Sequence, residues 1–175
     1  NDDYLESQGH LTSDHKYYII YTDAAAGGNK AVGHGIDLNA GGYEAVLSKA
    51  GYSTNVGAKI PKEFVDNLSL ENMSERKSEI EDKCSGLNLK DYQIDALICR
   101  SYQMGSTGWY YGDTWSYCPG ETFVSAYKKW WDNGKSDRLY NNFMKYVTNG
   151  GEYGLIRRRE SEWKLFKTGV YDWAH

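Results

Sequence analysis

Proline is almost missing from this 175-residue chain, which carries only Pro61 and Pro119. That excludes Pro-rich linkers and recognition segments, and no internal repeat or low-complexity tract takes their place. An excess of basic charge is missing as well, since 20 Lys and Arg face 24 Asp and Glu for a net charge of −4. A nucleic-acid binder needs a basic stripe, so that class drops out. The same balance gives no electrostatic pull toward an anionic wall or membrane. No run of about 18 apolar residues is present, so no segment reads as a membrane span. No secretory signal pattern is visible either, and the chain opens on Asn1-Asp-Asp-Tyr4-Leu-Glu6 without an initiator Met. It reads as a processed protein or an excised module of a longer one, with any export information lying outside it. Three cysteines, Cys84, Cys99 and Cys118, leave at least one thiol unpaired, and none has metal-ligand or redox spacing.

Aromatic residues, by contrast, are plentiful, with 16 Tyr and six Trp. Flat rings with polar edges suit a half-wet core and also suit stacking on sugar rings. The length fits one domain, residues 1–175, with enough core to fold without disulfides or metals. Residues 1–8 read as the last turns of a helix. Tyr17 to Thr22 is dense in β-branched and aromatic residues and reads as a strand. A small, Gly-rich turn from Ala24 to Asn29 follows, and Ala31 to Leu38 returns as the second strand of a hairpin. After Gly42 the period becomes helical. Helices are expected at Tyr43–Ala50, Lys62–Leu68, Glu71–Cys84, Leu89–Met104, Glu121–Asp132, Asp137–Val147 and Tyr153–Lys167. The last of these places Leu155, Arg159, Trp163 and Phe166 on one face, with Gly169 as its C-cap. The expected class is α+β, with a small β-lobe at about 15–40 and a helical lobe at about 43–175.

Two carboxylates differ in context from the solvated majority. Glu6 ends the first helix beside Tyr4 and Leu5, and Asp23 ends the first strand before the Gly-rich turn. A glycosidase needs two such groups: one protonated to donate to the leaving oxygen, one ionised to hold water or offset positive charge on the sugar. By spacing alone, Glu6 reads first as an exposed terminal residue and Asp23 as a turn former.

Three separated motifs sharpen this. Tyr21-Thr-Asp23-Ala-Ala-Ala-Gly-Gly-Asn-Lys-Ala31-Val-Gly33-His34-Gly-Ile36 is a strand–turn–strand with an acidic residue before the turn. Gln93-Ile-Asp-Ala-Leu-Ile-Cys-Arg-Ser-Tyr-Gln103-Met-Gly105 is a helix ended by glycine. Gly154-Leu-Ile-Arg-Arg158-Arg-Glu-Ser-Glu-Trp-Lys-Leu-Phe-Lys-Thr-Gly169 is a helix with an arginine run. Together and in this order they resemble the hairpin, central helix and C-terminal helix of the phage-type lysozyme family. The resemblance implies a lysozyme-like α+β fold with a cleft between a hairpin lobe and a larger helical lobe.

It also implies roles. Asp23 falls on the family's hairpin aspartate, and Glu6 takes the place of the catalytic glutamate. The gap between them is longer than in the family, with Gln8 to Lys16 as an apparent insertion, and Asp14 is the rival acid. A general acid needs a rigid, partly apolar seat, which favours Glu6 over the loop-like Ser13-Asp-His-Lys segment. Arg158 matches the arginine that faces the catalytic Glu in this family. The family's hairpin Thr, which holds the attacking water, aligns with Ala31, whose side chain makes no hydrogen bond. His34 and Asp37 are the nearby replacements. His34, Gln103 and Trp109 are candidates to contact substrate, although a lone His in a Gly-flanked strand is more often structural and Trp109 reads equally as a core cap.

The implied activity is that of a muramidase, cutting the β-1,4 bond between N-acetylmuramic acid and N-acetylglucosamine in bacterial peptidoglycan. No metal and no organic cofactor is expected. A lytic transglycosylase on the same bond and a degenerate glycan-binding module are the alternatives. The expected partner is cell-wall peptidoglycan, met by a monomer that is secreted, periplasmic or phage-delivered, with an immunity or inhibitor protein if the chain is an effector.

Overall fold

The computed structural model describes residues 2–24, 27–110, 122–144 and 153–172. The chain divides into two compact units, Asn1–Asn72 and Met73–His175.

In the first unit, helix α1 (Asp2–Ser7) opens with Asp2 and Asp3. Negative charge there complements the unpaired amides of the first turn. The helix stops because Gly9 takes a left-handed φ of 73°, so that Gly9 N donates to Glu6 O and His10 N to Leu5 O. This pair of bonds is a Schellman motif, which closes a helix at an αL glycine. The sequence suggests one strand over Tyr17 to Thr22, but the structure holds two: β1 (Tyr17–Ile19) and β2 (Tyr21–Asp23). The break falls at Ile20, whose N–H donates to Ala58 O and whose carbonyl accepts from Gly57 N. Strand β1 pairs with β5 (Lys59–Pro61) and bridges to Leu11 on its other side. Strand β2 pairs instead with β3 (Asn29–Val32), which pairs with β4 (Ile36–Asp37). The expected hairpin is therefore a three-stranded meander, because Gly33 (φ 61°) and Gly35 (φ 94°) turn the returning segment once more. A Cβ on Gly33 would lie 2.8 Å from Val65 Cγ1, so only glycine lets this turn approach the helix that carries Val65.

Helix α2 (Tyr43–Lys49) ends in a second Schellman motif at Gly51, as the glycine suggested. The two helices expected over 62–68 and 71–84 are a single helix α3 (Lys62–Lys83). Nothing between them breaks a helix, and Ser69 bonds back to Val65 O at 3.0 Å instead of capping a new one. The core of this unit gathers Leu5, Leu11, Tyr18, Ile20, Val32, Leu38, Leu47, Ile60 and Val65. Each such aliphatic side chain contributes about 1.5–3 kcal/mol on burial.

The second unit is helical. Helix α4 (Asp91–Tyr110) continues past the expected end at Met104, through a kink at Gly105 (φ 71°). Its innermost stripe is Gln93, Ala96, Leu97, Arg100 and Ser101, a helical spacing that includes an arginine with no exposure at all. Thr122 and Ser125 form a reciprocal capping box that starts α5 (Phe123–Ala126). The expected helix over 121–132 then widens into a π-helical turn (Tyr127–Trp131), and Gly134 ends it. Helices α6 (Ser136–Phe143) and α7 (Tyr153–Thr168) complete the set. Helix α7 turns Arg159, Trp163 and Phe166 inward as the sequence pattern predicts, and Gly169 N caps it on Leu165 O at 2.8 Å. Leu155 on that pattern has its side chain outside the described residues, as do Glu121, Val147 and Cys118 altogether. The mixture of helices with small antiparallel sheets is the expected α+β class. Among the described residues no helix is long and apolar enough to cross a membrane.

Candidate active site

The register of the meander puts Asp23, Asn29 and Asp37 on one face. Asp23 stands opposite Asn29, Tyr21 opposite Ala31, and Ala31 opposite Asp37. Side chains at directly paired positions, and at every second position along a strand, share a face. Asp23, Asn29 and Asp37 therefore form a row, with Ala31 as its small member. Asn29 Nδ2 donates to Asp37 Oδ2 at 2.8 Å and ties the far end of the row together. Asp37 Oδ1 also accepts from Asn39 N at 2.8 Å, closing the turn beyond β4. Ala31 is 2% exposed and brings no hydroxyl to this face.

His10, the residue that follows the glycine stop of α1, lies flat on Tyr21, with ring centroids 3.6 Å apart and planes 5° from parallel. Burial lowers the His10 pKa, and the negative charge of Asp23 opposes that shift. Thus the end of α1 and the end of β2 meet around His10, and α1 is the helix that carries Glu6.

The Glu6 carboxylate does not have the apolar seat expected of it. It is 39% exposed, and its Oε2 lies 2.9 Å from His15 Nε2. That hydrogen bond is the largest cause raising the His15 pKa, with smaller contributions from the charges of Asp2 and Asp3. Asp14, the rival acid, has another task. Its Oδ1 accepts from Thr12 Oγ1 at 2.6 Å and from Lys16 N at 3.2 Å. These bonds hold its carboxyl below the usual range, which disfavours proton donation.

His34 is half-exposed and belongs to a polar network in the same unit. Its Nε2 lies 3.3 Å from Tyr18 Oη and 3.4 Å from Asp2 Oδ1. Tyr18 Oη donates to Asp66 Oδ1 at 3.1 Å, and Lys62 Nζ reaches Asp66 Oδ2 at 2.7 Å. Burial lowers the His34 pKa. Burial, and then the Asp66 charge, push the Tyr18 phenol up to about 12, so Tyr18 stays a neutral donor. An open recess of about 590 Å³ beside this network is lined by His15, Lys16 and Tyr17 from the chain around β1 and by Lys62, Glu63 and Asp66 from α3.

The remaining candidates belong to the second unit. Trp109 is a correction: it is wholly buried, packed on Phe123 at 6.0 Å and on Tyr110 at 5.2 Å, and has no free face for a sugar. The reason is the continuation of α4 through Gly105, which carries Trp109 into the core. The Gln103 side chain lies outside the described residues. Arg158 is exposed, and its charge is felt at Glu162 and Cys99 of its own unit. Sequence reasoning missed the group beneath it. Arg159 Nη2 donates to Glu162 Oε1 at 2.7 Å, and both side chains are almost fully buried. Arg100 Nη1 donates to Phe143 O at 2.8 Å beside them. Cys84 and Cys99 are free thiols whose pKa values burial pushes up to about 12 and about 11, which makes them unreactive. Among the described residues no three His, Cys, Asp or Glu side chains gather as a metal site.

The residues missed in the first unit, His10 and His15, had a faint signal. Both lie in the segment that lengthens the interval between Glu6 and Asp23, and that interval was legible although its fold was not. Comparison with known proteins adds one finding. A family model described as phage lysozyme matches residues 18–162. No curated protein and no solved structure matches the chain.

Proposed function

Because this chain belongs to the phage lysozyme family, we propose that it hydrolyses the β-1,4 bond between N-acetylmuramic acid and N-acetylglucosamine, with Glu6 as general acid and Asp23 as its carboxylate partner. The family's activity on peptidoglycan makes the chain a cell-wall hydrolase of the lysozyme type. The finer chemistry follows from the residues. Protonated Glu6 gives its proton to the glycosidic oxygen as the bond to the anomeric carbon breaks. Ionised Asp23 offsets the positive charge that develops on the sugar, or orients the water that captures it. No step of this acid–base scheme requires a metal or an organic cofactor.

One observation supports the reading: the family match covers residues 18–162, which include the meander in which Asp23 ends β2. The matched residues begin after Glu6. Its role is supported instead by its position in the last turn of α1, joined by the Gly9 stop to His10, which senses Asp23. In the absence of the family's threonine, the row from Asn29 to Asp37 supplies the hydrogen-bonding groups beside Asp23. His34, held by Tyr18 and Asp2, is a substrate contact in this proposal. The chain acts as a monomer on the wall of a bacterium, whether secreted, periplasmic or phage-delivered.

The test is clearance of purified peptidoglycan by wild type, Glu6→Gln and Asp23→Asn, with the products weighed by mass spectrometry. Wild type should clear the suspension and leave reducing ends, and Glu6→Gln should lose at least about a hundredfold in rate. Equal rates for wild type and Glu6→Gln remove Glu6 as the acid. Buried Ala31 favours one second reading, a lytic transglycosylase, in which the sugar's own hydroxyl attacks and no water need be held. A 1,6-anhydro product would establish that reading.

A further inference from the structure

The segment between α1 and β1 folds as a tight hairpin whose tip carries His15. His10 O accepts from Ile19 N at 2.9 Å, and Thr12 N donates to Tyr17 O at 2.9 Å. Leu11 bridges to Tyr18 between them. Around the tip, His15 N donates to Thr12 O at 2.8 Å, and Tyr17 N donates to Thr12 Oγ1 at 3.1 Å. Asp14 Oδ1 takes both Thr12 Oγ1 and Lys16 N. These bonds over-determine the turn, and they hold His15 at a φ of 54°. Among the described residues, His15 is the only non-glycine residue with positive φ. A left-handed conformation is disfavoured for a residue that carries a Cβ. Such strain persists where the surrounding bonds enforce it, and it gathers at functional positions. Here the enforced conformation brings the imidazole Nε2 to 2.9 Å from Glu6 Oε2.

We infer that His15 is a positioning residue for the general acid, and that the Glu6–His15 pair, sharing one proton, is the acid that serves the leaving oxygen. The inference rests on the proposal that Glu6 is the acid. Glu6 is 39% exposed, and the imidazole sets a proton donor 2.9 Å from its Oε2. The one proton of the pair lies in the Nε2–Oε2 hydrogen bond. As substrate docks and water leaves, the Nε2 proton passes to Glu6 Oε2. Glu6 then delivers a proton to the glycosidic oxygen, which departs with the electron pair of the broken bond. A water oxygen bonds to the anomeric carbon, and the proton that water sheds returns to the pair. The pair ends the cycle with the single proton it began with.

The hydrogen bond with Glu6 and the nearby carboxylates raise the His15 pKa. Helix α1 presents Glu6, with Asp2 and Asp3 near enough to raise the imidazole pKa. Its own turn adds Asp14 and Lys16, which form a salt bridge at 3.7 Å. Helix α3 adds Lys62, Glu63 and Asp66 along the same recess, and there Lys62 is paired with Asp66 at 2.7 Å.

The experiment is the pH–rate profile of peptidoglycan clearance for wild type, Glu6→Gln, His15→Asn and His15→Gln. Asn tolerates the left-handed conformation, and Gln keeps a donor of similar reach; thermal midpoints confirm that each variant is folded. In wild type the rate falls at alkaline pH as the pair loses its proton. Both His15 variants should lose about tenfold at about pH 7, with the alkaline limb moved acidward by about one pH unit or more. A limb that stays in place overturns the inference, whether the rate is unchanged or uniformly reduced. Wild-type activity in Glu6→Gln defeats the underlying proposal instead, so the two failures are told apart.

Discussion

Replacing Glu162 by Gln should change how the stability of the second unit depends on pH. Glu162 is 3% exposed, with one oxygen on Arg159 at 2.7 Å. Among the described residues its second oxygen has no hydrogen-bond partner. Burial pushes its pKa from the ordinary 4.5 up to about 7, against the pull of Arg159, Arg100 and Arg158. Arg159 is pushed down for the same reason, since burial penalises its charge too. The folded chain therefore holds a proton on Glu162 over a range in which the unfolded chain has released it. The stability this adds is fully present below 4.5 and is lost as pH rises through 7. At 1.36 kcal/mol per pH unit, the interval from 4.5 to about 7 corresponds to about 3 kcal/mol. Gln keeps the shape and an acceptor for Arg159 but does not titrate. The measurement is urea unfolding at several pH values from 4.5 to 7.5. All six Trp lie in the second unit, so their fluorescence follows that unit's transition. The stability of wild type relative to Glu162→Gln should fall by about 3 kcal/mol across this range. A difference that stays constant or grows with pH refutes the reasoning, because it means that the arginines keep the carboxylate ionised throughout.

Trp109→Ala should cost about 3–5 kcal/mol by opening a cavity among Phe123, Tyr110 and their neighbours. A chemical denaturation curve checks this, and a loss under 1 kcal/mol contradicts the buried placement. Gly33→Ala should destabilise the first unit by about 1–3 kcal/mol, since it combines a positive φ with a Cβ 2.8 Å from Val65 Cγ1. Hydrogen exchange of the β1 to β4 amides reads that loss, and unchanged protection would contradict the close approach. In native protein at pH 7, Cys84 and Cys99 should react with a thiol reagent far more slowly than after denaturation, because burial keeps both thiols protonated.

Much of the helical half was legible because an amphipathic helix writes its buried face into the sequence at intervals of three and four. Arg159, Trp163 and Phe166 follow that rule and point inward. Glycine stops were equally readable: Gly51 and Gly169 end helices where their backbone freedom suggested. Periodicity failed where partners decide. Nothing local shows that Ile20 gives both backbone groups to residues 57 and 58, so one apparent strand serves two sheets. Serine and leucine between Leu68 and Glu71 look like a gap between helices, yet no Gly or Pro is there to make one, and α3 runs through.

By itself the sequence determined the family, through three motifs in order, and with it the class of fold and the chemistry expected of Asp23. Those signals are local, carried by residue types at fixed spacing. Tertiary structure alone decided the surroundings of each candidate. It buried Trp109, showed the Glu6 carboxyl beside solvent, and brought His15 to 2.9 Å from it. It also sank Glu162 among arginines. Burial and proton affinity depend on what the rest of the chain places around a side chain, and no spacing along the sequence encodes that neighbourhood.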